Sequence, residues 1–460
     1  MNFDKKLDSS FRDPSGFLFY KNNLLYRQIN KSYKEEYEYF MNSGLYEKLV
    51  SLNLIVSHRE IEMDSFNLND DAYKIIEPEK IKFISYPYEW CFSQLKNAAL
   101  LTLEIQKISF QFGMTLKDAT SYNIQFDNGF PKFIDTLSFE KYNEGQMWKP
   151  YKQFCQHFLA PLALMSHSDI RFNQLLKIYI DGIPLDLASK ILGKSTRFNF
   201  SLLSHIHLHA KNQKQYEDKE ISIKQKKLGK NSFVGIIESL NSGIKKLDWT
   251  PKGTEWGNYY SIHNYSDKSF VMKQDFIDEV IEQEKPKQVL DLGSNTGLFS
   301  RICSKKGFFT ISLDIDPAAV EKNYLQIYSE YEKNILPLLL DITNPSPGLG
   351  WINFERDSFI QRCKSDLVLS LALIHHLAIS NNIPLNKIAE FFSNICKNLV
   401  IEFIPKTDSQ IVKLLRNRCD IFDEYNENNF EMEFKKFFTI IKKLQIADSQ
   451  RVLYFMKKLD

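Results

Sequence analysis

The 460-residue sequence has little of what marks several special classes of protein. Its six cysteines are widely spaced and form no C-x-x-C pair, which argues against a disulfide scaffold or a zinc ribbon and indicates free intracellular thiols. Its 59 basic and 57 acidic side chains leave a formal charge of +2, so no overall charge attracts nucleic acid or a membrane surface. It also lacks repeats and tracts rich in glycine or proline.

The sequence has no long apolar run either. The longest, residues 367–379, has 13 residues and includes two histidines, which is too short to span a bilayer. The first ten residues carry four charges and no apolar core, unlike a signal peptide. We therefore expect a cytoplasmic protein without a membrane span. Its length and its 43% of hydrophobic residues are sufficient for two domains.

The stretch V-L-D-L-G-S-N-T-G at residues 289–297 joins an apolar strand, predicted at 288–292, to a helix predicted at 298–305. Gly293 and Gly297 can adopt backbone angles that other residues avoid, and they carry no side chain that would keep a ligand away. The free amides at the start of the helix would face that ligand. This strand, turn and helix predict a site for a nucleotide-type cofactor.

Further strands are predicted in the same half of the chain. A strand at 308–313 leads to Asp314, 23 residues after Asp291, where dinucleotide-type folds place an acid that accepts hydrogen bonds from a ribose. Because strands alternate with helical stretches, we expect a doubly wound, mostly parallel sheet. The next three strands are predicted at 335–340, 365–371 and 398–403.

Residues 258–460 resemble the class I S-adenosylmethionine-dependent methyltransferases, with D-L-G-S-N-T-G as the first motif, L-D-I-D as the second and A-L-I-H-H-L as the fourth. The resemblance implies an α/β Rossmann-like domain with a seven-stranded sheet, closed by strands at 437–444 and 451–456, and S-adenosyl-L-methionine as the cofactor. The turn lacks the full G-x-G-x-x-G pattern, which argues against NAD. The implied cofactor-binding residues are Asp291, Gly293, Ser294, Asn295, Gly297, Asp314, Ile315, Asp341, Ile342 and Leu371.

Groups at the ends of the fourth and fifth strands are the candidates for catalysis. Methyl transfer is an in-line displacement that needs a base when the nucleophile is a hydroxyl, and His375, His376 and Glu402 are candidates for that role. Alternatively, the two histidines only end the strand and shape the acceptor pocket. Two histidines and a carboxylate also suit a metal-assisted methylation of RNA 2′-hydroxyls, but the sequence places no second carboxylate nearby. We expect neither a metal nor nucleic acid here.

In the first half, a helix predicted at 95–112 precedes Asp118, Asn123, a hairpin with an Asn-Gly turn, and Asp135. This order and spacing resemble the catalytic core of small-molecule kinases related to aminoglycoside phosphotransferases. The resemblance implies an α+β kinase-like domain over residues 1–210, with ATP and Mg²⁺ as candidate ligands. It also implies that Asp118 accepts the proton of a substrate hydroxyl and that Asn123 and Asp135 hold the metal.

This half departs from the kinase pattern in several respects. Leu116 and Lys117 stand where the family has His-Arg or His-Gly, and no glycine-rich phosphate loop is visible. Arg27, on a hairpin predicted at 17–29, stands where a phosphate-pairing lysine is expected, and arginine is not a conservative replacement there. A degenerate kinase-like binding domain, an active kinase and an unrelated fold are all open. The candidate helix partners of Arg27 are Glu35, Glu36 and Glu38.

A lysine-rich segment, residues 211–257, is predicted to be a linker or an exposed helix between the two domains. Just before it, His205, His207 and His209 alternate along the chain. On a strand their imidazoles would share one face at metal-ligand spacing, whereas in a helix they would diverge. The neighbouring leucines favour the helix, so we expect no metal site.

Stretches in the first half, at 84–95, 133–140 and 158–165, resemble a bacterial group of two-part methyltransferase-like proteins related to a rhizobial nodulation protein. Enzymes that terminate bacterial O-antigen chains also join a kinase and a methyltransferase, which by analogy suggests a glycan or small-molecule acceptor. The leading hypothesis is an S-adenosylmethionine-dependent methyltransferase whose kinase-like domain recognises the acceptor. The alternatives are a bifunctional kinase and methyltransferase, and a cofactor-binding protein without turnover.

Overall fold

The chain forms two compact units in a computed structural model. The first comprises Met1–Thr250 and Gly348–Asp357, and the second comprises Pro251–Pro347 and Ser358–Asp460. The division at residue 250 falls inside the segment predicted as a linker, whereas no sequence pattern places the later segment in the first unit. The structure describes residues 5–66, 70–211, 229–254, 267–416 and 419–459.

The first unit begins with an antiparallel sheet of five strands, in the order β1-β2-β3-β5-β4. The predicted hairpin at 17–29 is confirmed, because β2 pairs with β3 across Asn22 and Asn23, which both have the positive φ that asparagine tolerates. Two helices follow β3. These elements are β1 Lys5–Lys6, β2 Gly16–Lys21, β3 Leu24–Asn30, α1 Lys34–Asn42, α2 Leu45–Ser51, β4 His58–Ile61 and β5 Ala72–Pro78.

A long helix and two short strand pairs form the middle of the first unit. Helix α3, Phe92–Gln111, confirms the helix predicted at 95–112, and it ends where Gly113 takes a φ of 74°. The predicted hairpin is confirmed as β7 paired with β8, and Asn128 and Gly129 have the positive φ that a tight hairpin turn requires. The strands are β6 Met114–Leu116, β7 Ile124–Asp127, β8 Phe130–Phe133 and β9 Phe139–Lys141.

Helices complete the first unit, and the last of them, α9, lies inside the predicted linker. Its residues Phe233, Ile237 and Leu240 are buried, and Phe233 stacks on Phe110 of α3 with 5.0 Å between ring centroids. This part of the lysine-rich segment is therefore folded onto the first unit by its apolar face. The helices are α4 Tyr151–Phe154, α5 Ala160–His167, α6 Leu175–Ile178, α7 Leu185–Ile191, α8 Phe200–Leu202 and α9 Lys230–Lys246, with π-helical turns at Cys155–Leu159 and Leu203–Leu208.

The alternating histidines lie on a helical turn, not on a strand. His205 forms a hydrogen bond with the Tyr151 hydroxyl at 2.6 Å, whereas His207 bonds to the hydroxyls of Ser189 at 2.8 Å and Thr196 at 3.0 Å. The two buried imidazoles therefore have separate partners. Within the described ranges, no three His, Cys, Asp or Glu side chains are grouped as metal ligands.

The second unit contains the predicted seven-stranded sheet, in the order β12-β11-β10-β13-β14-β16-β15. The first five strands in this order run parallel, and β16 runs antiparallel to both β14 and β15. All seven strands lie within two residues of the predicted bounds. They are β10 Gln288–Leu292, β11 Phe309–Asp314, β12 Ile335–Leu339, β13 Ser365–Ser370, β14 Cys396–Phe403, β15 Phe438–Gln445 and β16 Val452–Lys458.

Helices cover the sheet, and its core contains Ile277 and Ile281 from the first helix together with Leu367, Leu369 and Phe455 from the strands. No described helix of the chain combines the length and the apolar content that a membrane crossing needs. The helices are α10 Asp267–Glu284, α11 Leu298–Lys305, α12 Pro317–Glu330, α13 Phe359–Arg362, α14 Leu385–Ile395, α15 Ser409–Leu415 and α16 Glu427–Phe434, with a π-helical turn at His376–Ser380.

Candidate functional site

A cavity of about 610 Å³ opens in the second unit at the carboxyl ends of the parallel strands. The order of the strands reverses between β10 and β13, and open α/β sheets bind ligands at such a point. The cavity brings together most of the cofactor and catalytic residues that the sequence predicts. Those that line it are Asp291, Gly293, Ser294, Asn295, Asp314, Ile315, Asp341, Ile342, Leu371, His375 and His376.

The turn after β10 is held by its own backbone amides. Gly293 and Asn295 have positive φ, of 75° and 51°. The amides of Gly293 and Ser294 both donate to the Leu313 carbonyl at 2.9 Å, and the amide of Asn295 donates to the Asp314 carboxylate at 2.7 Å. Because these three amides already donate to groups of the protein, a ligand in the cavity would contact the carbonyl groups and side chains of the turn instead.

Asp314 ends β11, where the sequence predicts the carboxylate that binds a ribose. It lines the cavity with 8% of its surface exposed, and its oxygens accept hydrogen bonds from the amides of Asn295 at 2.7 Å and Asp316 at 2.8 Å. Burial raises the pKa of Asp314 to about 6, although the two amides oppose the rise. A carboxylate has about four acceptor positions, and backbone amides, that of Ile315 included, take up to three of them, so acceptor capacity is left for a ligand hydroxyl.

Asp291, on β10, is buried beside the turn. Its carboxylate accepts a hydrogen bond from the Ser300 hydroxyl of α11 at 2.6 Å, which ties the helix to the strand. Burial raises the pKa of Asp291 to about 7; the Ser300 hydroxyl opposes the rise, and the charge of Asp314 adds to it. Two neighbouring carboxyl groups at this end of the cavity therefore titrate well above the ordinary range of aspartate.

Apolar side chains line the part of the cavity beyond Asp314. Ile315 follows β11 and is 56% exposed, Ile342 lies shortly after β12, and Leu371 follows β13. Asp341 also lines this part, and its carboxylate accepts hydrogen bonds from the amide and the hydroxyl of Thr343. This end of the cavity thus offers apolar surface next to carboxylates, as a nucleoside requires.

Gly297 is not among the residues that line the cavity. It precedes α11 with a φ of 78°, and a Cβ atom there would lie 2.6 Å from the Asn323 side chain and 2.8 Å from that of Arg301. Its missing side chain therefore allows α11 to pack closely against α12.

His375 and His376 follow β13, and both line the cavity with their ring centroids 4.1 Å apart. Burial lowers the pKa of His376 to about 4, and burial, followed by the charge of His376, lowers the pKa of His375 well below the usual range. The buried Nδ1 atom of His375 has no hydrogen-bond partner in the described part of the chain. Both imidazoles are therefore neutral near pH 7. Because their pKa values are low, they are weak bases, and they are better suited to form a hydrogen bond with a methyl acceptor than to remove a proton from it.

Glu402 lies on β14 and is fully buried, outside the residues that line the cavity. Lys273 of α10 donates to its carboxylate at 2.7 Å, and the amide of Ala372 donates to it at 2.9 Å. Burial lowers the pKa of Lys273 to about 8, while the charge of Glu402 opposes the fall. Glu402 thus supports the loop that carries the two histidines.

The cavity is also lined by Lys273, Lys413 and Arg451, which no sequence motif marks. A signal for Lys273 exists, because it lies three residues after Phe270 and four before Ile277, inside the apolar stripe of α10. Lys413 follows β14 and Arg451 directly precedes β16, and both are more than 100 residues from the glycine turn in the sequence. Only the tertiary fold brings these two side chains to the cavity.

The first unit brings Asp118, Asn123 and Asp135 together. The Asn123 side chain donates to the Ser138 hydroxyl at 3.2 Å, and that hydroxyl donates to Asp135 at 2.6 Å. The pKa of Asp118 is raised, first by burial and then by the charge of Asp135, so the two carboxylates lie close enough to interact.

Arg27 joins this cluster through an ion pair with Asp135. The same carboxylate accepts hydrogen bonds from the Leu137 amide at 3.0 Å and the Ser138 hydroxyl at 2.6 Å. Burial alone would raise the pKa of Asp135, but Arg27 and these hydrogen bonds hold it below the usual range. Asp135 is therefore an ionised carboxylate that is already neutralised by a neighbouring guanidinium.

The glutamates predicted as partners of Arg27 have other partners, so that prediction is wrong. Glu36 accepts a hydrogen bond from the Lys141 amide at 2.7 Å, and Glu35 lies 3.9 Å from the Lys141 ammonium. Glu38 accepts a hydrogen bond from the Tyr73 hydroxyl at 2.6 Å. The physical reason is that these carboxylates of α1 meet groups on β9 and β5 instead of β3.

The strand order of the second unit, with β16 antiparallel beside β14, defines the class I methyltransferase fold. Its glycine turn follows the central strand, and Asp314 ends the next one. No protein-family model matches the sequence. The chain is 33% identical to nodulation protein NoeA from Rhizobium meliloti (strain 1021), over 98% of this chain and 96% of that protein. The chain therefore belongs to the NoeA family.

Solved methyltransferase structures are similar to part of the chain. The N-methyltransferase NodS from Bradyrhizobium japonicum WM9 is 10% identical, covers 42% of this chain and 99% of its own, and has a TM-score of 0.31. Magnesium protoporphyrin IX methyltransferase (ChlM) from Synechocystis PCC 6803 is 15% identical, covers 44% of this chain and 92% of its own, and has a TM-score of 0.32. The observation that identifies the fold is the strand order itself.

Proposed function

We propose that the second unit is an S-adenosylmethionine-dependent methyltransferase. The observation that carries this proposal is the position of Asp314, whose carboxylate ends the second strand of a methyltransferase fold and faces a cavity of about 610 Å³. Next to it, Ile315 exposes 56% of its surface. A carboxylate beside an exposed apolar side chain suits a ribose joined to a purine. Membership of the NoeA family supports the assignment.

The lining residues fit S-adenosyl-L-methionine. Ile315, Ile342 and Leu371 would contact the adenine, and Asp314 would accept hydrogen bonds from the ribose hydroxyls. Lys273, whose ammonium lies 5.9 Å from the Phe299 ring at the start of α11, would face the carboxylate of the amino-acid part. When bound, this cofactor supplies an electrophilic methyl group.

We assign His375 and His376 to the methyl acceptor. As neutral imidazoles at the carboxyl end of β13, they can hold an acceptor hydroxyl or amine by a hydrogen bond and orient it toward the methyl group. Glu402 has a positioning role in this proposal, because its carboxylate binds the Ala372 amide and Lys273 instead of facing the cavity. The acceptor is a small molecule or a glycan.

We propose that the first unit is a kinase-like domain that recognises the acceptor. Its convergent Asp118, Asn123 and Asp135 support the kinase-like assignment. The ion pair between Arg27 and Asp135 favours recognition over phosphoryl transfer, since a guanidinium already neutralises the carboxylate that would hold Mg²⁺. The rival is a bifunctional kinase and methyltransferase that uses ATP and Mg²⁺ in this unit.

Methyl transfer can be measured with S-adenosylmethionine labelled in its methyl group and a panel of saccharides and small metabolites. We expect release of S-adenosylhomocysteine that depends on one acceptor class, and a fall in kcat of at least about tenfold for His375→Ala, because the acceptor loses an orienting contact. His167→Ala, at an exposed histidine of the first unit, is the matched control and should leave kcat unchanged. Cofactor binding without methyl release from any acceptor would instead favour the non-catalytic alternative.

A further inference from the structure

Four of the six charged residues that line the cavity are separated by sign along the sheet; the other two are Asp291 on β10 and Lys273 on α10. The acids Asp314 and Asp341 lie after β11 and β12, on one side of the sheet's reversal point. Lys413 and Arg451 belong to elements after β14 and before β16, on the other side. Because β11 and β14 are separated by three strand spacings of about 4.8 Å, these two groups start from positions about 14 Å apart.

The cations of the cavity differ in whether they have a partner. Lys273 is paired with Glu402 at 2.7 Å, and Arg451 makes two hydrogen bonds to Asp408, at 2.7 Å and 3.1 Å. The ammonium group of Lys413 forms no hydrogen bond or ion pair with any described residue. Of these three cations, Lys413 is the one whose side chain is not already paired with a protein carboxylate.

The helix that carries Lys413 is held firmly in position. Asp408 caps α15 by accepting a hydrogen bond from the Gln410 amide at 2.9 Å, and the same Asp408 is fixed by Arg451. Ile411 is fully buried under the helix. Gln410, Lys413 and Leu414, spaced three and four residues apart, share the face that lines the cavity. Lys413 is therefore presented to the cavity by a supported helix.

The neighbouring polar groups leave this positive charge uncompensated. His375 and His376 line the same cavity after β13, the strand next to β14, and are neutral near pH 7, because burial lowers both pKa values. The other polar residues there, Ser380 and Asn381, carry no charge. Of the acids that line the cavity, Asp314 and Asp341 lie beyond the reversal point, and Asp291 lies on β10 at that point, where its carboxylate accepts a hydrogen bond from the Ser300 hydroxyl.

We propose that Lys413 binds an anionic group, a carboxylate or a phosphate, of the methyl acceptor. This inference rests on the proposed methyltransferase function and names the class of its substrate. According to this inference, Lys273 binds the cofactor and Lys413 binds the methyl acceptor. The reason is that α15 follows β14, which lies next to β13, the strand that leads to the acceptor-binding histidines. Neutral sugars and aliphatic amines would leave Lys413 without a partner.

Calorimetry of the full chain saturated with S-adenosylhomocysteine tests the inference, with inorganic phosphate and acetate as separate probes. We expect saturable binding at one site for at least one of the two anions, and the tighter of them identifies the group as phosphate or carboxylate. Lys413→Met should weaken that binding about tenfold, the loss of one charged contact. Arg416→Met, at an exposed arginine just beyond α15, is the control and should change the affinity by less than about twofold.

Two results would overturn the inference: the absence of saturable anion binding, or equal anion affinities in the wild type and Lys413→Met. A tenfold loss of S-adenosylhomocysteine affinity in Lys413→Met would also overturn it, because the lysine would then serve the cofactor. Failure of the proposed function is distinguishable: either S-adenosylhomocysteine itself would not bind to the wild-type chain, or it would bind while no acceptor yields methyl transfer, and neither result depends on Lys413.

Discussion

At the scale of single residues, Asp314 combines burial with access to a ligand. It is buried enough to raise its pKa to about 6, and it still lines a cavity where ligand hydroxyls can reach its oxygens. The same burial that disfavours its charge also strengthens each hydrogen bond that the ionised form accepts. Its protonation and its ligand are therefore coupled near physiological pH.

This coupling predicts a pH dependence of cofactor binding. Ribose hydroxyls donate to the ionised carboxylate of Asp314, so binding should weaken as pH falls through about 6, the raised pKa in the free protein. An aspartate with an ordinary pKa of about 3.9 would show no such change above pH 5. The measurement is the affinity for S-adenosylhomocysteine between pH 5 and 8. Asp291→Asn should keep the change and Asp314→Asn should remove it; an affinity that is flat over this range contradicts the assignment.

Gly297 offers a second prediction at the residue scale. Gly297→Ala places a Cβ atom 2.6 Å from Asn323 at a φ of 78°, so we expect a loss of about 2 to 4 kcal/mol in the free energy of unfolding. Gly307→Ala is the matched control, because Gly307 also has a positive φ but no atom within 4 Å of the new Cβ. It should cost only about 1 kcal/mol. Equal losses in urea denaturation would show that the close packing of α11 on α12 is unimportant.

Sequence patterns predict residues of the site well where the signal is local. The turn at Gly293 and the acid at Asp314 are set by neighbouring residues, and the cavity contains both. Arg451 lies near the other end of the chain, and its role depends on β16 returning beside β14. The partner of Arg27 is 108 positions away, beyond any helix or strand period, so a sequence pattern indicates the nearer glutamates instead.

At the scale of secondary-structure elements, the buried ion pair of Lys273 and Glu402 connects α10 to β14 and to the Ala372 amide. Such a pair contributes little net stability by itself, but the loss of one partner leaves the other charge buried and unpaired. The main role of the ion pair is therefore to hold in position the loop that carries His375 and His376, through the hydrogen bond from the Ala372 amide to Glu402.

For Glu402→Gln we predict a loss of about 3 to 5 kcal/mol in the free energy of unfolding, because Lys273 would lose its carboxylate. The double variant Lys273→Met/Glu402→Gln keeps an acceptor for the Ala372 amide and removes both charges, so it should recover most of that loss. Urea denaturation of the three proteins measures this difference. If the double variant is no more stable than Glu402→Gln, the loss of stability in Glu402→Gln does not come from the unpaired charge of Lys273, and the prediction is wrong.

Elements are predictable from sequence when their apolar period is clear. The seven strands of the second unit and the hairpins of the first follow directly from apolar runs and from turns containing asparagine and glycine. Helix α9 is harder to predict, because the lysines of its segment indicate a linker, and its apolar face has a role only once Phe233 packs against Phe110. Tertiary packing decides such cases.

At the scale of the whole molecule, the first unit includes a segment, Gly348–Asp357, that the chain reaches only after the first three of the second unit's seven strands. Arg12 makes two hydrogen bonds to Glu355, at 2.6 Å and 2.9 Å, across 343 positions of sequence. The Arg356 guanidinium lies 4.3 Å from the centre of the Tyr122 ring, next to Asn123. No local pattern predicts contacts of this range.

The ion pair of Arg27 and Asp135 leads to a prediction for the function of the first unit. Because the guanidinium already neutralises Asp135, any ATP that binds should do so without help from Mg²⁺, and its affinity should be the same with Mg²⁺ as with EDTA. Calorimetry with ATP measures this directly. ATP binding that requires Mg²⁺ and disappears in Asp135→Asn would instead favour the bifunctional kinase and methyltransferase.

The most direct test of the central claim is calorimetry of S-adenosylmethionine binding to the full chain. We predict one site per chain, at least about tenfold weaker binding for Asp314→Ala because one strong ribose contact is lost, and unchanged binding for Glu330→Ala at an exposed residue of α12. No binding by the wild-type chain, or equal affinities for the wild type and Asp314→Ala, would contradict the assignment of this cavity to the methyl donor.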